Sequence, residues 1–338
     1  MADSSRNIPN RTKRQIPLLI WKTSISQPIF DKKTAEMDPR TYLFLQELGL
    51  KKPAFYEEVA YSLPDRPYEE SDAVKVSEAM MALRGRYSKW GIPSIDVPSV
   101  WKAQDKVQKA YGLLDSKEIQ YLTPFGKDYP KAMSQMTKDT GARRGTFYPG
   151  VLFMKGDTGL LSRKPQIILA SNLPWGKEVP EAIALLWSAI REGGVTPLIP
   201  ICCNMSWTIV KEAIGEGLRP IVALDKGFDR YDLTEGCPAR SVVEAGGLVL
   251  SNWPVGDTKT LSNLTVHRLY FIMALATRMR IIQVSPMDCS RWLMESAVHH
   301  ALRVVILEQR RMPNGYDLYY DTLPPSVHRL PLKEWLML

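Results

Sequence analysis

Cysteine is scarce in this chain. The four present, Cys202, Cys203, Cys237 and Cys289, form no C-x-x-C pair and have no histidine at ligand spacing beside them. Zinc fingers and ribbons draw their ligands from such pairs, so a site of that kind is excluded and no metal is expected. Cys202 and Cys203 close an apolar run, where free thiols behave as small hydrophobes, and are expected as ordinary buried residues. This usage fits a reducing cytoplasm. Long hydrophobic runs are missing too: nothing approaches the ~20 apolar residues that cross a bilayer, so the chain is expected to be soluble and cytoplasmic, with no membrane partner. Arg6, Arg11, Lys13 and Arg14 precede only the short run Ile16-Pro-Leu-Leu-Ile20, unlike a secretion signal. Neither G-x-x-x-x-G-K nor G-x-G-x-x-G occurs, which excludes triphosphate hydrolysis on a Walker loop, and no cofactor is expected. Paired carboxylates and a Ser/His/Asp arrangement are also lacking, so hydrolysis by those routes has no candidate residues.

What the chain does contain is a repeated order of helix, glycine pair and buried strand. Residues 178–192 carry Ile183, Leu186, Trp187 and Ile190 on one helical face, followed by Gly193-Gly194 and the strand-like segment 195–201. The same order returns in Ser241-Val-Val-Glu-Ala-Gly-Gly-Leu-Val-Leu-Ser251. Buried-strand composition also marks 151–156, 166–171, 219–224, 279–284 and 303–307, with room for a crossover helix between most neighbours. The expected fold is α/β, an extended Rossmann-like, mostly parallel sheet flanked by helices, with a small N-terminal helical domain. The expected division is a basic arm over 1–38, a helical domain over 39–114, the sheet domain over 115–309 and a tail over 310–338 lying on the domain surface. The helical domain is expected to open at Asp38-Pro39 and to include helices over 71–84 and 98–110.

In a parallel sheet, a ligand meets the residues that follow each strand. These are Ser171-Asn172, Cys203-Asn204, Asp225-Lys226-Gly227, Ser251-Asn252 and Ser285-Pro286. The set is mainly neutral and suits hydrogen bonds to phosphate or sugar, although each Ser or Asn taken alone also suits a helix N-cap. The sharpest cluster is Asp225-Lys226-Gly227-Phe228-Asp229-Arg230-Tyr231, where glycine admits close backbone approach beside two cations. His267-Arg268 is a second candidate. The formal net charge of +8 attracts polyanions at long range, but dense basic groups also describe solvated helix faces, and composition alone does not separate the two.

Lys127-Asp-Tyr-Pro-Lys-Ala-Met133 and Tyr148-Pro-Gly-Val-Leu-Phe-Met-Lys-Gly-Asp157 resemble the opening of the DprA/Smf family, with its "DYP" turn and "P-vLy-kG" strand. The order continues through Ile168-Leu-Ala-Ser-Asn172, Ala213 to Leu224, Gly227-Phe-Asp-Arg-Tyr231, Gly246-Gly-Leu-Val-Leu-Ser251 with Pro254, and Val266-His-Arg268, covering about residues 121 to 309. The resemblance implies a Rossmann-like core that binds single-stranded DNA in a basic pocket, a homodimer, and a recombinase such as RecA or another DNA-processing protein as partner. It places Ser171, Lys226, Arg230 and Arg268 at pocket or rim positions; with the strand-end residues Asn172 and Asn204, with His267 and with Arg291 they make up the expected nucleic-acid site. Several family glycines are replaced here: Ala170 stands in the "GSR" turn, and Pro200-Ile-Cys-Cys-Asn-Met-Ser-Trp207 stands for the "SGlA-GiD" loop. Each replacement adds a side chain where backbone would approach phosphate, so a reshaped or partly closed pocket is expected. Arg291 and Trp292 offer charge and a stacking face in compensation.

Two other readings stand beside this non-enzymatic one. A nucleotide sensor or nucleotide glycosidic-bond hydrolase of the wider Rossmannoid group would use a glutamate near the start of the last helix, for which Glu295 is the candidate. A structural, partner-binding protein with a degenerate pocket would use its aromatic residues, including Tyr316 to Tyr320, at an interface.

Overall fold

The computed structural model describes residues 37, 39–50, 56–88, 91–124, 126, 128–133, 150–163, 165–173, 178–231, 233, 236–252, 269–309 and 317–337. The expected basic arm, apart from Met37, lies outside the described residues, as do Lys127, Arg143, Arg144, Pro254, His267, Arg268 and Tyr316.

The described strands form a nine-stranded sheet. They are β1 (Gln120–Leu122), β2 (Leu152–Gly156), β3 (Gln166–Leu169), β4 (Pro197–Pro200), β5 (Ile221–Ala223), β6 (Leu248–Ser251), β7 (Arg278–Ile281), β8 (Arg303–Leu307) and β9 (Val327–Leu330), in the order β1-β2-β6-β5-β4-β3-β7-β8-β9. From β6 through β9 every pairing is parallel, whereas β2 runs antiparallel to β6 and β1 antiparallel to β2. The class read from the sequence is therefore the one observed: α/β, with a mostly parallel sheet flanked by helices. Strand order advances outward from β3 to β6, then crosses back to β7 beside β3. This reversal makes the carboxyl ends of β3 and β7 the topological switch point, where crevices open in such sheets.

Alternation along the strands explains why both faces are covered. Ile168, Ile199, Val222, Val249, Ile282 and Val305 point to one face, and Ile167, Leu169, Leu198, Ile221, Leu250, Met279 and Ile306 to the other. The first face carries helices α5 (Glu178–Glu192), α6 (Asn204–Gly215) and α7 (Pro238–Glu244), and its cluster runs on into α1 (Pro39–Glu47), α2 (Tyr56–Tyr61), α3 (Ala73–Arg86) and α4 (Val97–Ser116). Helix α5 spans the residues its periodicity predicts, and Trp187, which it buries fully, contributes roughly 2–3 kcal/mol by burial. The second face carries α8 (Ile272–Leu275) and α9 (Cys289–His299). Gly194 at φ 60° and Gly246 at φ 75° supply the left-handed residues that end α5 and α7 before their strands.

The stretch over 310–338, expected to lie on the surface, contributes a strand instead. After α10 (Asp317–Asp321), β9 pairs in parallel with β8, and α11 (Leu332–Leu336) buries Trp335 in the first-face core. Arg280 fixes this segment from within. Only 3 % exposed, it donates from Nε to Gln166 Oε1 at 2.9 Å and from Nη1 to the carbonyls of Trp335 at 3.2 Å and Leu336 at 3.3 Å. Burial, with Arg278 nearby, lowers its pKa to about 10. A buried arginine thus caps the end of a helix.

Candidate functional site at the strand ends

The site is built where β3, β4 and β7 stop. Ser171 is fully buried, and its Oγ accepts from the Leu173 N–H at 3.3 Å, which turns the chain sharply after β3. Asn172 follows, and its side-chain Oδ1 accepts from the Asn204 N–H at 3.0 Å, at the first residue of α6. The Asn172 N–H donates in turn to Asp288 Oδ2 at 3.0 Å. Asp288 is the N-cap of α9: Oδ1 accepts from the Ser290 N–H at 2.9 Å and also from the Ser290 hydroxyl. A third strand end is tied in by Ser290 Oγ, which accepts from the Ser285 N–H at 3.0 Å.

Asn172 and Asn204 are therefore brought together beside Ser171, and Asn172 is bonded to a carboxylate of the chain itself. Backbone donors at the start of α9 and at the β3 turn, which favour an anion, already hold one. Asp288 was not singled out in the sequence, although an acidic residue directly before a helical run is an N-cap signal. Gln283 was also missed. It lies past β7, 0 % exposed, and neither of its amide atoms has a hydrogen-bond partner among the described residues.

Lys226 and Arg230 stand apart. They belong to the turn after β5, two strands from β3 and so roughly 10 Å across the sheet. Ser251 Oγ donates to the Lys226 carbonyl at 3.0 Å, and the Tyr231 hydroxyl donates to Asp225 Oδ1 at 2.5 Å, which shapes the turn. Burial and the Asp225 carboxylate push the Tyr231 phenol far up, so it remains a donor. The Trp207 ring on α6 lies 5.9 Å from the Tyr231 ring and links this turn to the next strand end. The Lys226 side chain is 46 % exposed, with Nζ 3.9 Å from Asp225 Oδ2, and Arg230 is exposed.

Arg291 and Glu295 lie on the outer side of α9, paired with each other at 2.7 Å from Nε to Oε1. Both are half-exposed, and the ion pair raises the Arg291 pKa further. Beside them Met287 and Trp292 are exposed. Cys202 and Cys203 differ from the expectation of ordinary buried residues: each is half-buried, because the strand end they occupy lies at the crevice. Among the described residues no group of three or more His, Cys, Asp or Glu is placed to hold a metal ion, and no helix is long and apolar enough to cross a membrane.

Fold and strand-end geometry together define a Rossmann-like α/β protein with an extended sheet. No family model matches the chain, and no curated protein matches it by sequence. Among solved structures, it is similar to DNA processing protein A (DprA) from Streptococcus pneumoniae with a TM-score of 0.61 at 12% identity, over 89% of this chain and 98% of that one. A second similar structure is DNA processing protein A from Helicobacter pylori, described for its single-stranded DNA binding mode, with a TM-score of 0.49 and 17% identity over 64% of this chain and 94% of that one. The fold is thus DprA-like, in agreement with the resemblance carried by the motifs.

Proposed function

We propose that the protein is a non-enzymatic, DprA-like nucleic-acid-binding protein that holds single-stranded DNA across the carboxyl ends of its parallel strands, in DNA processing or recombination. The observation that carries this reading is the turn after β5, where a fixed backbone presents Lys226 and Arg230 to solvent at a ligand-facing strand end. These cations provide phosphate contacts, joined by Arg291 and by the expected His267 and Arg268. The exposed face of Trp292 provides a stacking surface for a base. Ser171, Asn172 and Asn204 form the neutral floor. The DNA is held mainly by the cationic rim, because the floor's donors at Asn172 and Asn204 are engaged within the protein. A homodimer and a recombinase or other DNA-processing partner belong to the same proposal, on the strength of the motif resemblance.

The hydrolase reading gains no support from Glu295, which is turned outward as the partner of Arg291. The carboxylate at the crevice is Asp288, and both its oxygens accept backbone N–H groups. Fluorescence anisotropy with labelled single- and double-stranded oligonucleotides, across a range of salt, tests the proposal. Saturable preference for single strands is expected, with a log-log salt slope of roughly −3 to −4 for four to six phosphate contacts. Absence of oligonucleotide binding, or binding of a mononucleotide alone, overturns it.

A further inference from the structure

At the amino end of the sheet Arg278 opens β7 and Arg303 opens β8, and the two residues are partners in the parallel register. Neighbouring strands lie about 4.8 Å apart and register partners share a face, so the two side chains leave the sheet side by side. That face is the first, because Arg303 stands two residues before Val305, and Arg280, two residues after Arg278, meets the carbonyls of Trp335 and Leu336 there. Gln166 is the register partner of Arg278 on its other side, and its Oε1 is taken by Arg280. Arg278 is half-buried and Arg303 is exposed. Like charges placed so destabilise the pair. Elsewhere in this chain Arg66, Arg191, Arg219, Arg240, Arg291 and Arg329 each meet a carboxylate within 3.5 Å. Among the described residues Arg278 and Arg303 meet none, and neither side chain has a hydrogen-bond partner. Arg280 adds a third positive charge beneath them, and its pKa is lowered by burial and, next, by Arg278.

We infer that Arg278 and Arg303 form a binding site for a phosphate monoester, the terminal phosphate of a nucleotide or of a nucleic-acid strand. Each guanidinium presents a planar fork of N–H donors and stays charged at neutral pH. A carboxylate, with two oxygens and one charge, matches one fork and leaves the other arginine unbalanced. A phosphodiester likewise brings a single charge. A phosphate monoester has three free oxygens and close to two charges at neutral pH, because its second pKa is about 6, so it meets both forks and balances both arginines. The site lies at the opposite end of the strands from Lys226, Arg230 and the hydrogen-bonded set around Asp288, and it uses no residue of the proposed single-strand site.

The test follows thermal unfolding of the full chain at neutral pH and matched ionic strength, with inorganic phosphate, adenosine monophosphate or adenosine added against chloride. Phosphate and adenosine monophosphate are expected to raise the midpoint, and adenosine is not. Arg278→Gln combined with Arg303→Gln should abolish the rise, whereas Lys226→Ala combined with Arg230→Ala should leave it intact. Arg303 is exposed, so Arg303→Gln alone serves where the double substitution does not fold: it should weaken phosphate binding about tenfold or more. In low-salt chloride the same variant should unfold at or above the midpoint of the unsubstituted protein, because it relieves the repulsion. An oligonucleotide ending in a phosphate, compared with the same strand ending in a hydroxyl, identifies the source. Tighter binding of the phosphorylated strand, lost with both arginines, marks a strand end; equal affinities beside a response to adenosine monophosphate mark a free nucleotide. Absence of any rise with phosphate or adenosine monophosphate, an equal rise in the double variant, or loss of the rise on substituting Lys226 and Arg230 overturns the inference. The phosphate shifts involve no DNA, so this site stands or falls separately from the proposed function.

Discussion

The ends of β3, β4 and β7 and the end of β5 belong to one sheet, yet they present opposite chemistry. At the first, Asn172, Asn204, Asp288 and Ser290 satisfy one another in a connected set of hydrogen bonds. At the second, Asp225 and Tyr231 bond to each other and leave the Lys226 side chain half in water. Buried polar groups reward mutual satisfaction, because each group left unpaired costs about 1–3 kcal/mol. Exposed cations carry little stability but keep their reach for a polyanion. The difference teaches that position at a ligand-facing strand end does not by itself make a binding group. What matters is whether its donors are already engaged.

Substitution of Asp288 should break the closed end with the largest effect. Asp288→Ala removes the N-cap of α9 and leaves the Asn172 and Ser290 N–H groups without their acceptor, a loss of about 2 kcal/mol in stability measured by urea unfolding. Asp288→Asn should cost less, because asparagine also caps helices well. Equal unfolding midpoints for Asp288→Ala and the unsubstituted protein would show that the set is not cooperative.

At the open end the effect should appear in binding and not in folding. Lys226→Ala combined with Arg230→Ala should flatten the salt slope for single-stranded DNA by about 1.4, from two phosphate contacts at about 0.7 each. Stability should stay within about 0.5 kcal/mol, as for exposed residues generally. If the double substitution instead unfolds the protein and leaves the slope unchanged, the two strand ends do not differ in the way described.

Legibility in the sequence followed the same division. Helix α5 and strands β6 and β8 coincide with the segments expected from periodicity and glycine position, because local pattern and tertiary burial agree there. Helix α4 runs to Ser116, six residues past its expected end: Gly112 weakens it locally, but the buried face continues through Tyr111 and Leu114 until the left-handed residue Glu118 at φ 50°. Strand β9 was not legible. Val327-His-Arg-Leu330 has one buried residue and a half-buried one, the pattern of an edge strand whose identity depends on β8 beside it. The positions of Ser171, Asn172 and Asn204 beside one another were legible because strand ends are predictable. The carboxylate that closes them comes from residue 288, and no local signal shows which distant backbone it will meet.

Arg291 and Glu295 give the smallest expected effect and the clearest separation of the remaining readings. They form an exposed i,i+4 pair, which contributes little to stability and is screened by salt. Glu295→Gln should therefore leave the urea unfolding midpoint almost unchanged. It should also strengthen single-stranded DNA binding slightly, because Arg291 loses its competing anion while keeping its charge. Arg291→Ala should weaken binding and lower the salt slope by about 0.7. A catalytic glutamate would behave differently: Glu295→Gln would abolish release of a free base from nucleotides while leaving DNA binding untouched. Measured together on the same variants, base release and the salt slope thus assign this corner of α9 to hydrolysis or to the cationic rim.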